Sequence, residues 1–230
     1  MVKNKLIINN FEFKHLTKVL RKRAGDSLTV TDGERNIYQC KIIFVNKNEI
    51  LCDIFSKEFN LYEAKTEVTL YLSPLKNSSR FEFAVEKAVE LGVVSIKPVS
   101  TEHTFNINEF SRSKIERINK IIIGAMGQSQ RCFLPEFHNL ITFKDMLNYE
   151  KEKKNNKIVM YEFSDNISDH NFDGYENKVS LLIGPEGGFA DEEIDLLKKN
   201  KWEIKSLGAR KLRAETAAVV SVFDILSKFK

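Results

Sequence analysis

A glycine-rich loop follows an apolar segment in the last third of the chain. The segment Leu181-Leu-Ile183 leads directly into Gly184-Pro-Glu-Gly-Gly188, and an acidic stretch beginning at Asp191 follows. Three glycines within five positions let a backbone approach a ligand closely and adopt positive φ angles. The loop lacks the GxxxxGK(S/T) and GxGxxG patterns of phosphate-binding loops, and Glu186 would repel a phosphate. It therefore indicates either a site for a cationic or hydroxyl-rich ligand or a tight strand-to-helix turn capped by Asp191.

A second polar loop follows the next apolar segment. The stretch Leu207-Gly-Ala-Arg-Lys-Leu-Arg-Ala-Glu-Thr-Ala-Ala218 places Arg213, Glu215 and Thr216 at the start of an apolar run that ends near Lys228. These polar residues could simply cap a helix. Two loops that follow parallel strands, however, meet at the carboxyl edge of one sheet, where α/β proteins bind ligands. The pair of loops therefore favours a ligand site.

The elements that must position these loops form an α/β pattern from about residue 66 onward. Apolar segments alternate with amphipathic ones, which is typical of a largely parallel sheet layered with helices. We predict strands at Val68–Ser73, Val94–Val99, Lys157–Tyr161, Val179–Ile183 and Glu203–Leu207. We predict helices at Phe81–Leu91, Ser113–Gln128, Asp191–Lys199 and Glu215–Lys228. The mixed-charge run 149–156 is interpreted as a solvated loop or a frayed helix end.

The N-terminal part of the chain has a different pattern. From Leu6 to about Phe59 the apolar residues are β-branched and alternate with polar ones between turn signals, which predicts a small β-barrel. One helical stretch, Phe13–Arg23, interrupts this pattern. The basic side chains on one side of that stretch are Lys14, His15, Lys18, Arg21 and Lys22. We therefore predict two domains, residues 1–65 and 66–230, with a basic face on the first.

Composition and charge exclude several classes of protein. The chain has 230 residues, of which 42% are hydrophobic, and this is enough for one large core or two small ones. Its 36 basic and 32 acidic residues leave a formal net charge of only +4, so any affinity for nucleic acid would depend on local clusters. The three cysteines lack CxxC spacing, and no segment has the length of a signal peptide or a membrane span. We expect a soluble cytoplasmic protein with reduced thiols and no metal, in which His103 and His138 are ordinary surface or loop residues.

The two glycine-marked loops resemble the signature of the SPOUT methyltransferases. The matching segments are Ile183-Gly-Pro-Glu-Gly-Gly188 and Leu207-Gly-x-Arg-x-Leu-Arg-x-Glu-Thr-Ala217. Further segments resemble the branch of that family that methylates N3 of a uridine in small-subunit ribosomal RNA. They are His15-Leu-x-x-Val-Leu-Arg21 with Gly25-Asp26, Glu86-Lys-Ala-x-Glu-Leu-Gly92, and Gln128-Ser129 with Arg131. The matches keep their order and span nearly the whole chain.

This resemblance implies a fold, a cofactor and partners. The fold is a C-terminal α/β domain tied in a trefoil knot, which general folding rules make very rare, preceded by a PUA-like or OB-like barrel that helps hold RNA. The implied cofactor is S-adenosylmethionine. The implied partners are 16S ribosomal RNA, free or in the assembled small subunit, and a second copy of the chain that completes each active site.

The resemblance and the chemistry of methyl transfer together assign residues to roles. Removal of the N3 proton of uracil leaves an anionic ring, so Arg213 is predicted to stabilise that ring and Glu215 to orient Arg213 or accept the proton. An Arg213–Glu215 ion pair that closes the knot is the structural alternative. The residues expected to hold the cofactor are Leu182, Ile183, Gly184, Glu186, Gly187, Gly188, Leu207, Gly208, Leu212, Thr216 and Ala217. The residues expected to contact RNA are His15, Arg21, Arg80, Gln128 and Arg131.

The sequence departs from the family pattern on the side expected to face RNA. It has Lys76-Asn-Ser-Ser79 where the family shows Lys-Gly-Asp, Gly124 near the place of a Glu, and Gln130 in place of a Gly. These departures leave the cofactor loops whole. The alternatives are a nonenzymatic RNA-binding or ribosome-assembly protein, a SPOUT methyltransferase with another RNA target, and an α/β enzyme that binds a nucleotide phosphate.

Overall fold

The computed structural model describes residues 4–105, 109–164 and 177–227. The chain forms two compact units. The N-terminal unit runs to Glu63 and includes Gln130–Phe133, while the C-terminal unit comprises Ala64–Ser129 and Leu134–Lys230. The chain thus passes between units close to the boundary predicted near residue 65. The return of Gln130–Phe133 to the N-terminal unit is not visible in the sequence pattern.

The N-terminal unit is built on an antiparallel sheet. Among its described residues the strands are β1 (Lys5–Asn9), β2 (Ser27–Thr31), β3 (Asn36–Val45) and β4 (Glu49–Phe59), in the spatial order β1-β4-β3-β2. Side-chain alternation along these strands sends Ile8, Leu28, Cys40, Ile42, Ile50 and Cys52 into one buried core. The predicted barrel therefore takes the form of a sheet with β1 and β2 at its edges.

The helical stretch of this unit ends earlier than predicted. Helix α1 (Asn10–Lys14) continues as a single π-helical turn over His15–Val19, whereas the pattern predicts helix as far as Arg23. Arg21 adopts a left-handed conformation with φ of 52°, which a right-handed helix cannot accommodate. The basic side chains of His15 and Arg21 are exposed on this stretch.

A buried ion pair holds the segment Gln130–Phe133 in the N-terminal unit. Arg131 Nη2 donates to Glu63 Oε2 at 2.7 Å, and the two side chains are 3% and 2% exposed. Glu63 Oε1 also accepts the backbone amides of Cys132 and Phe133 at 2.8 and 3.0 Å. Burial would raise the pKa of Glu63, but Arg131 and the two amides outweigh burial and hold that pKa below its usual value.

The C-terminal unit has the predicted α/β fold. Its strands in the described ranges are β5 (Glu67–Leu72), β6 (Ser95–Ser100), β7 (Glu136–Phe137), β8 (Ile141–Thr142), β9 (Asn156–Met160), β10 (Lys178–Ile183) and β11 (Glu203–Lys205). Its helices there are α2 (Ser78–Leu91), α3 (Arg112–Gln128), α4 (Phe143–Lys151), α5 (Asp191–Lys199) and α6 (Ala214–Ser227). The strands pair in parallel in the order β11-β9-β10-β5-β6-β7, with β8 also beside β6. Every predicted strand and helix of this unit is present, whereas β7, β8 and α4 were not predicted.

Alternation along the parallel strands creates two cores, one on each face of the sheet. Leu70 and Leu181 point to the face covered by α2, α3 and α6. Tyr71 and Leu182, the next residue on each strand, point to the face covered by α4 and α5. Burial on both faces explains why these strands are almost continuously apolar in sequence. In the described ranges, no helix combines the length and apolar character that a membrane crossing requires.

The mixed-charge run 149–156 contains the end of a helix and one buried carboxylate. Helix α4 extends to Lys151, and Glu150 near its end is 1% exposed. The Glu150 carboxylate accepts hydrogen bonds from Tyr71 Oη (2.5 Å), Ser180 Oγ (2.8 Å), Lys153 Nζ (2.9 Å) and Asn155 Nδ2 (3.0 Å). These bonds tie the end of α4 to β5 and β10. The run is therefore the end of a helix followed by exposed or partly exposed residues at 152–155, which agrees with the prediction, but Glu150 is buried, and a run of charges does not reveal which one is buried.

Candidate functional site

Three adjacent strands of the C-terminal sheet, β10, β9 and β11, end at the same edge. Because these strands are parallel, the segments that follow them lie side by side. Residues of 161–163, 184–189 and 206–213 enclose a cavity of about 320 Å³, which the strand ends Met160 and Ile183 and the helix residues Ala214 and Ala217 complete. This volume is at the lower end of the range of small-molecule sites. The two loops predicted to meet therefore do meet.

Most of the residues predicted to hold the cofactor line this cavity. They are Ile183, Gly184, Glu186, Gly187, Gly188, Leu207, Gly208, Leu212 and Ala217. Leu182 and Thr216 are not part of the lining. Strand alternation buries Leu182 completely in the core beneath α4 and α5, and Thr216 is exposed on α6.

Two glycines of the lining adopt backbone conformations that other residues rarely take. Gly188 has φ of 72° and Gly208 has φ of 102°. A Cβ built on either would meet nothing within 4 Å, so each backbone faces open space. The two loops thus present bare main chain to the cavity, where amide and carbonyl groups can approach a ligand.

Hydrogen bonds with residues outside the glycine-rich loop hold it in place. The carboxylate of Glu186 accepts the backbone amide of Lys76 at 3.2 Å. His103 Nδ1 lies 3.1 Å from the carbonyl oxygen of Gly187, which can only accept, so this nitrogen carries the proton. His103 is an exposed loop residue, as predicted, and its ring also contacts the glycine-rich loop.

A buried carboxylate connects the end of the glycine-rich loop to the segment after β6. Glu193 Oε1 accepts the amide of Glu102 at 3.0 Å, and Glu193 Oε2 accepts the amide of Ala190 at 3.1 Å. Asp191, the cap of the structural alternative, is the first residue of α5 itself, and Ala190 occupies the cap position. The end of the loop is therefore fixed by Glu193 and not by an Asp191 cap.

Arg213 and Glu215 have different surroundings. Arg213 is exposed and lines the cavity, and its side chain forms no ion pair with any described residue. Glu215 is buried outside the lining, and its Oε1 lies 3.5 Å from Nε of Arg80. Its other oxygen, Oε2, has no hydrogen-bond partner among the described residues. The prediction that Glu215 orients Arg213 is wrong, as is the ion pair between them, because Glu215 faces helix α2.

Residues 160–163 form the third wall of the cavity. They were not predicted to belong to a site because they carry no recognisable motif. Glu162 Oε1 forms an ion pair with Lys211 Nζ at 2.8 Å, and this pair links the wall to the second loop. Burial, followed by the charges of Asp191 and Glu162, raises the pKa of Tyr161, so its hydroxyl stays protonated at neutral pH. These residues follow a predicted parallel strand, and this position is the feature of the sequence that could have placed them at the site.

The residues predicted to contact RNA differ in accessibility. His15, Arg21 and Gln128 are exposed, and Arg80 is partly exposed while it pairs with Glu215. The prediction that Arg131 contacts RNA is wrong. Its guanidinium is buried against Glu63, so it is not available to a phosphate. Arg131, which matches the family pattern, thus has a structural role in the N-terminal unit.

No group of three or more metal-binding side chains occurs in the part of the chain that the structure describes. The cavity is instead lined by glycine backbone, apolar side chains and a few charges, which is the composition of an organic-ligand site.

Comparisons with known proteins agree with this geometry. Residues 62–225 match the family model of the RNA methyltransferase domain, and residues 8–55 match that of the RNA methyltransferase PUA domain. The chain is 30% identical to ribosomal RNA small subunit methyltransferase E of Aquifex aeolicus, over 98% of this chain and 95% of that protein.

Two solved structures resemble the chain over almost its full length. A methyltransferase E from Neisseria gonorrhoeae bound to S-adenosyl methionine is 24% identical and superposes with a TM-score of 0.87, covering 98% of this chain and 92% of that one. A Legionella pneumophila protein described as a methyltransferase, in complex with the cofactor SAM, is 29% identical with a TM-score of 0.84, covering 97% and 92%. The fold, the paired loops and the match over 62–225 lead to one conclusion: the chain belongs to the RNA methyltransferase domain family.

Proposed function

We propose that the chain transfers the methyl group of S-adenosylmethionine (SAM) to N3 of a uridine in 16S ribosomal RNA of the small subunit. The observation that carries the proposal is the cavity where the glycine-rich loop and the 206–213 loop meet. The relatives named as ribosomal RNA small subunit methyltransferases support this class of RNA substrate, and the SAM-bound Legionella structure supports the cofactor. An enzyme that acts on ribosomal RNA is expected to work in the cytoplasm. The trefoil knot remains a prediction of the family resemblance.

The residues of the cavity fit SAM. Gly188 and Gly208 leave main chain open to an adenosine, and apolar side chains such as Ile183 and Leu207 provide a surface for the adenine ring. Charged side chains of both signs at the cavity, Glu162, Glu186, Arg210 and Lys211, suit an ammonium and a carboxylate. When bound, SAM supplies an activated methyl group, which is the difficult part of the chemistry.

The protein must then align the acceptor and stabilise its charge. Uracil N3 carries a proton, and its loss leaves negative charge shared by N3 and the two neighbouring carbonyl oxygens. Arg213 is placed to stabilise that charge, because it lines the cavity and has no carboxylate partner in the described residues. Glu215 is a positioning residue for Arg80, whose remaining donors are available to an RNA phosphate.

Each unit has exposed residues that are expected to contact RNA. His15 and Arg21 of the N-terminal unit and Arg80 and Gln128 of the C-terminal unit are accessible to the phosphate backbone. Such contacts fix the position of the RNA and weaken as salt rises. The target uridine must leave its stack before N3 can reach the methyl group.

The most direct test of the substrate is nucleoside mapping in a strain that lacks this gene. We expect mass spectrometry of its 16S ribosomal RNA to show the loss of one N3-methyluridine. A plasmid copy of the wild-type gene should restore the mark, and the matched copy with Arg213→Ala should not. If every N3-methyluridine remains in the deletion strain, the proposed substrate is wrong.

We propose a homodimer because one exposed helix face is apolar. Val220 and Phe223 lie three residues apart on α6, so they share a face, and they are 40% and 59% exposed. Phe83 is exposed on α2, which packs beside α6. The opposite face of α6 is buried in the core, and a helix that is apolar on all sides is usually covered on all sides.

Phe223→Asp is expected to weaken the dimer by at least about 30-fold, since it places a charge at the centre of an apolar interface. Light scattering during gel filtration should give about twice the 26.6 kDa chain mass for the wild type and a single chain for the variant. Leu196→Asp on α5 is the matched control, because Leu196 is exposed on a different helix. A monomeric wild type, or a dimeric Phe223→Asp protein, would contradict the homodimer.

A further inference from the structure

Phe163 has an unusual position in the cavity. Its ring contributes to the lining, yet the residue is 74% exposed, the largest exposure among the large hydrophobic residues that the structure describes. The other phenylalanine of the lining, Phe189, is buried against the core. Phe163 therefore stands at the mouth of the cavity with most of its surface toward solvent.

The backbone around Phe163 is fixed. The amide of Tyr161 donates to the Lys205 carbonyl at 2.8 Å, and Ser164 Oγ donates to the Ile204 carbonyl at 3.1 Å. The Ser164 amide closes a turn onto the Tyr161 carbonyl at 3.3 Å. Hydrogen bonds to β11 thus hold the chain on both sides of Phe163.

The ring itself is oriented by a neighbour. Tyr161 and Phe163 pack edge to face, with ring centroids 5.5 Å apart and planes at 70°. This arrangement restrains the ring while leaving most of it uncovered. The adjacent Glu162 forms its ion pair with Lys211, so the wall that carries Phe163 is also tied to the loop that carries Arg213.

We propose that Phe163 is the stacking platform for the acceptor base, the pyrimidine that the RNA presents to the methyl group. This inference rests on the proposed function. A base extruded from RNA loses its stacking partners, and an aromatic side chain that is rigid and exposed before binding can replace one of them. The adenine of the cofactor is suited to the enclosed apolar part of the cavity, near Ile183 and Phe189. The exposed rim of the cavity, at Phe163, is then open to the acceptor base.

Stacking at this rim places the base between Phe163 and the charged loop. The ring of Phe163 holds the pyrimidine plane, while Arg213, which lines the same cavity, stabilises charge on a carbonyl oxygen of the base. Positioning of this kind brings the acceptor nitrogen into line with the methyl group and excludes water from one face of the base. Phe163 is therefore a positioning residue for the acceptor and takes no part in proton transfer.

The test compares Phe163→Ala, Phe163→Trp and wild type in steady-state methylation of 16S RNA, with calorimetric titration of SAM on each protein. Loss of one base–aromatic stacking interaction corresponds to about a 5- to 150-fold decrease in kcat/KM for RNA. We expect such a decrease for Phe163→Ala, a rate within about 2-fold of wild type for Phe163→Trp, and unchanged SAM affinity in both. Phe55→Ala is the matched control, because Phe55 is a similarly exposed ring on β4 that is not part of the cavity lining.

Each other outcome overturns the proposal in a distinguishable way. If Phe163→Ala lowers SAM affinity by the same factor as kcat/KM, the ring stacks on the adenine of SAM and not on the acceptor base. An unchanged kcat/KM for Phe163→Ala would show that the ring does not stack on the acceptor. A wild-type protein that binds SAM but methylates no uridine would overturn the proposed function itself, and the stacking role with it.

Discussion

Replacement of Arg213 by alanine is expected to lower kcat by about 10²- to 10³-fold, which is the usual loss when one fixed charge stabiliser is removed from an active site. The guanidinium lines the cavity without a carboxylate partner in the described residues, so its charge is available to an anionic uracil ring. SAM affinity should change little, because the stabilised charge develops only during the reaction. Single-turnover methylation of 16S RNA, together with SAM titration, separates the two effects.

Arg210→Ala is the matched control for this prediction. Arg210 is exposed, belongs to the same loop and also lines the cavity, but it precedes the segment that opens α6. Its loss should lower kcat less than 10-fold by our account. An Arg213→Ala protein that folds, binds SAM and methylates at the wild-type rate would remove Arg213 from the mechanism.

Glu150→Ala is expected to lower the free energy of unfolding of the C-terminal unit by about 3–5 kcal/mol, the range seen when one partner of a buried charged network is removed. The substitution leaves the hydroxyls of Tyr71 and Ser180 and the amide of Asn155 without their buried acceptor. Urea unfolding can be followed by the fluorescence of Trp202. This residue is the single tryptophan of the chain and is buried in the core beneath α4 and α5, with its ring 6.2 Å from Tyr71.

The same network predicts a dependence on pH. Burial alone would raise the pKa of Glu150, but the hydrogen bonds from Tyr71, Asn155, Lys153 and Ser180 outweigh it and leave the pKa below its ordinary value. A lowered folded-state pKa contributes stability above the unfolded-state value, and this contribution is lost as pH falls through the folded-state value. The difference in stability between wild type and Glu150→Gln should therefore be constant near neutral pH and shrink under acid conditions.

Glu152→Ala provides the control, because Glu152 is exposed just beyond α4 and its removal should change stability by less than about 0.5 kcal/mol. Equal stabilities for wild type and Glu150→Ala would contradict the role given to the network. A stability difference that grows as pH falls would contradict the direction of the pKa shift.

The sequence predicts the C-terminal unit well because its signals are local. Strands buried on both faces are continuous apolar runs, and amphipathic helices have apolar residues every three or four positions. Each of these elements can therefore be located from its own segment of the sequence. The two loops of the site are equally visible, since positive φ at Gly188 and Gly208 demands a residue type that stands out.

What the sequence does not reveal depends on contacts between distant segments. Glu150 and Arg131 belong to charged, polar runs and give no sign that tertiary packing buries them. Glu215 was expected to orient Arg213 or accept the proton, but residues two apart on a helix do not face each other, and Glu215 lies beside Arg80 instead. The wall that carries Phe163 became part of the site only because sheet order places β9 between β10 and β11.

Binding of SAM in the cavity is tested most directly by calorimetric titration of the purified protein with SAM and, separately, with ATP. We expect SAM to bind once per chain and ATP not to bind, because the glycine-rich loop of the cavity carries Glu186 and lacks the Lys and the Ser or Thr of a P-loop. The matched variant Gly208→Val, which fills the open space before that backbone, should lose SAM binding. Binding of ATP, or no binding of SAM by the folded wild type, would contradict the assignment of the cavity as a methyl-donor site.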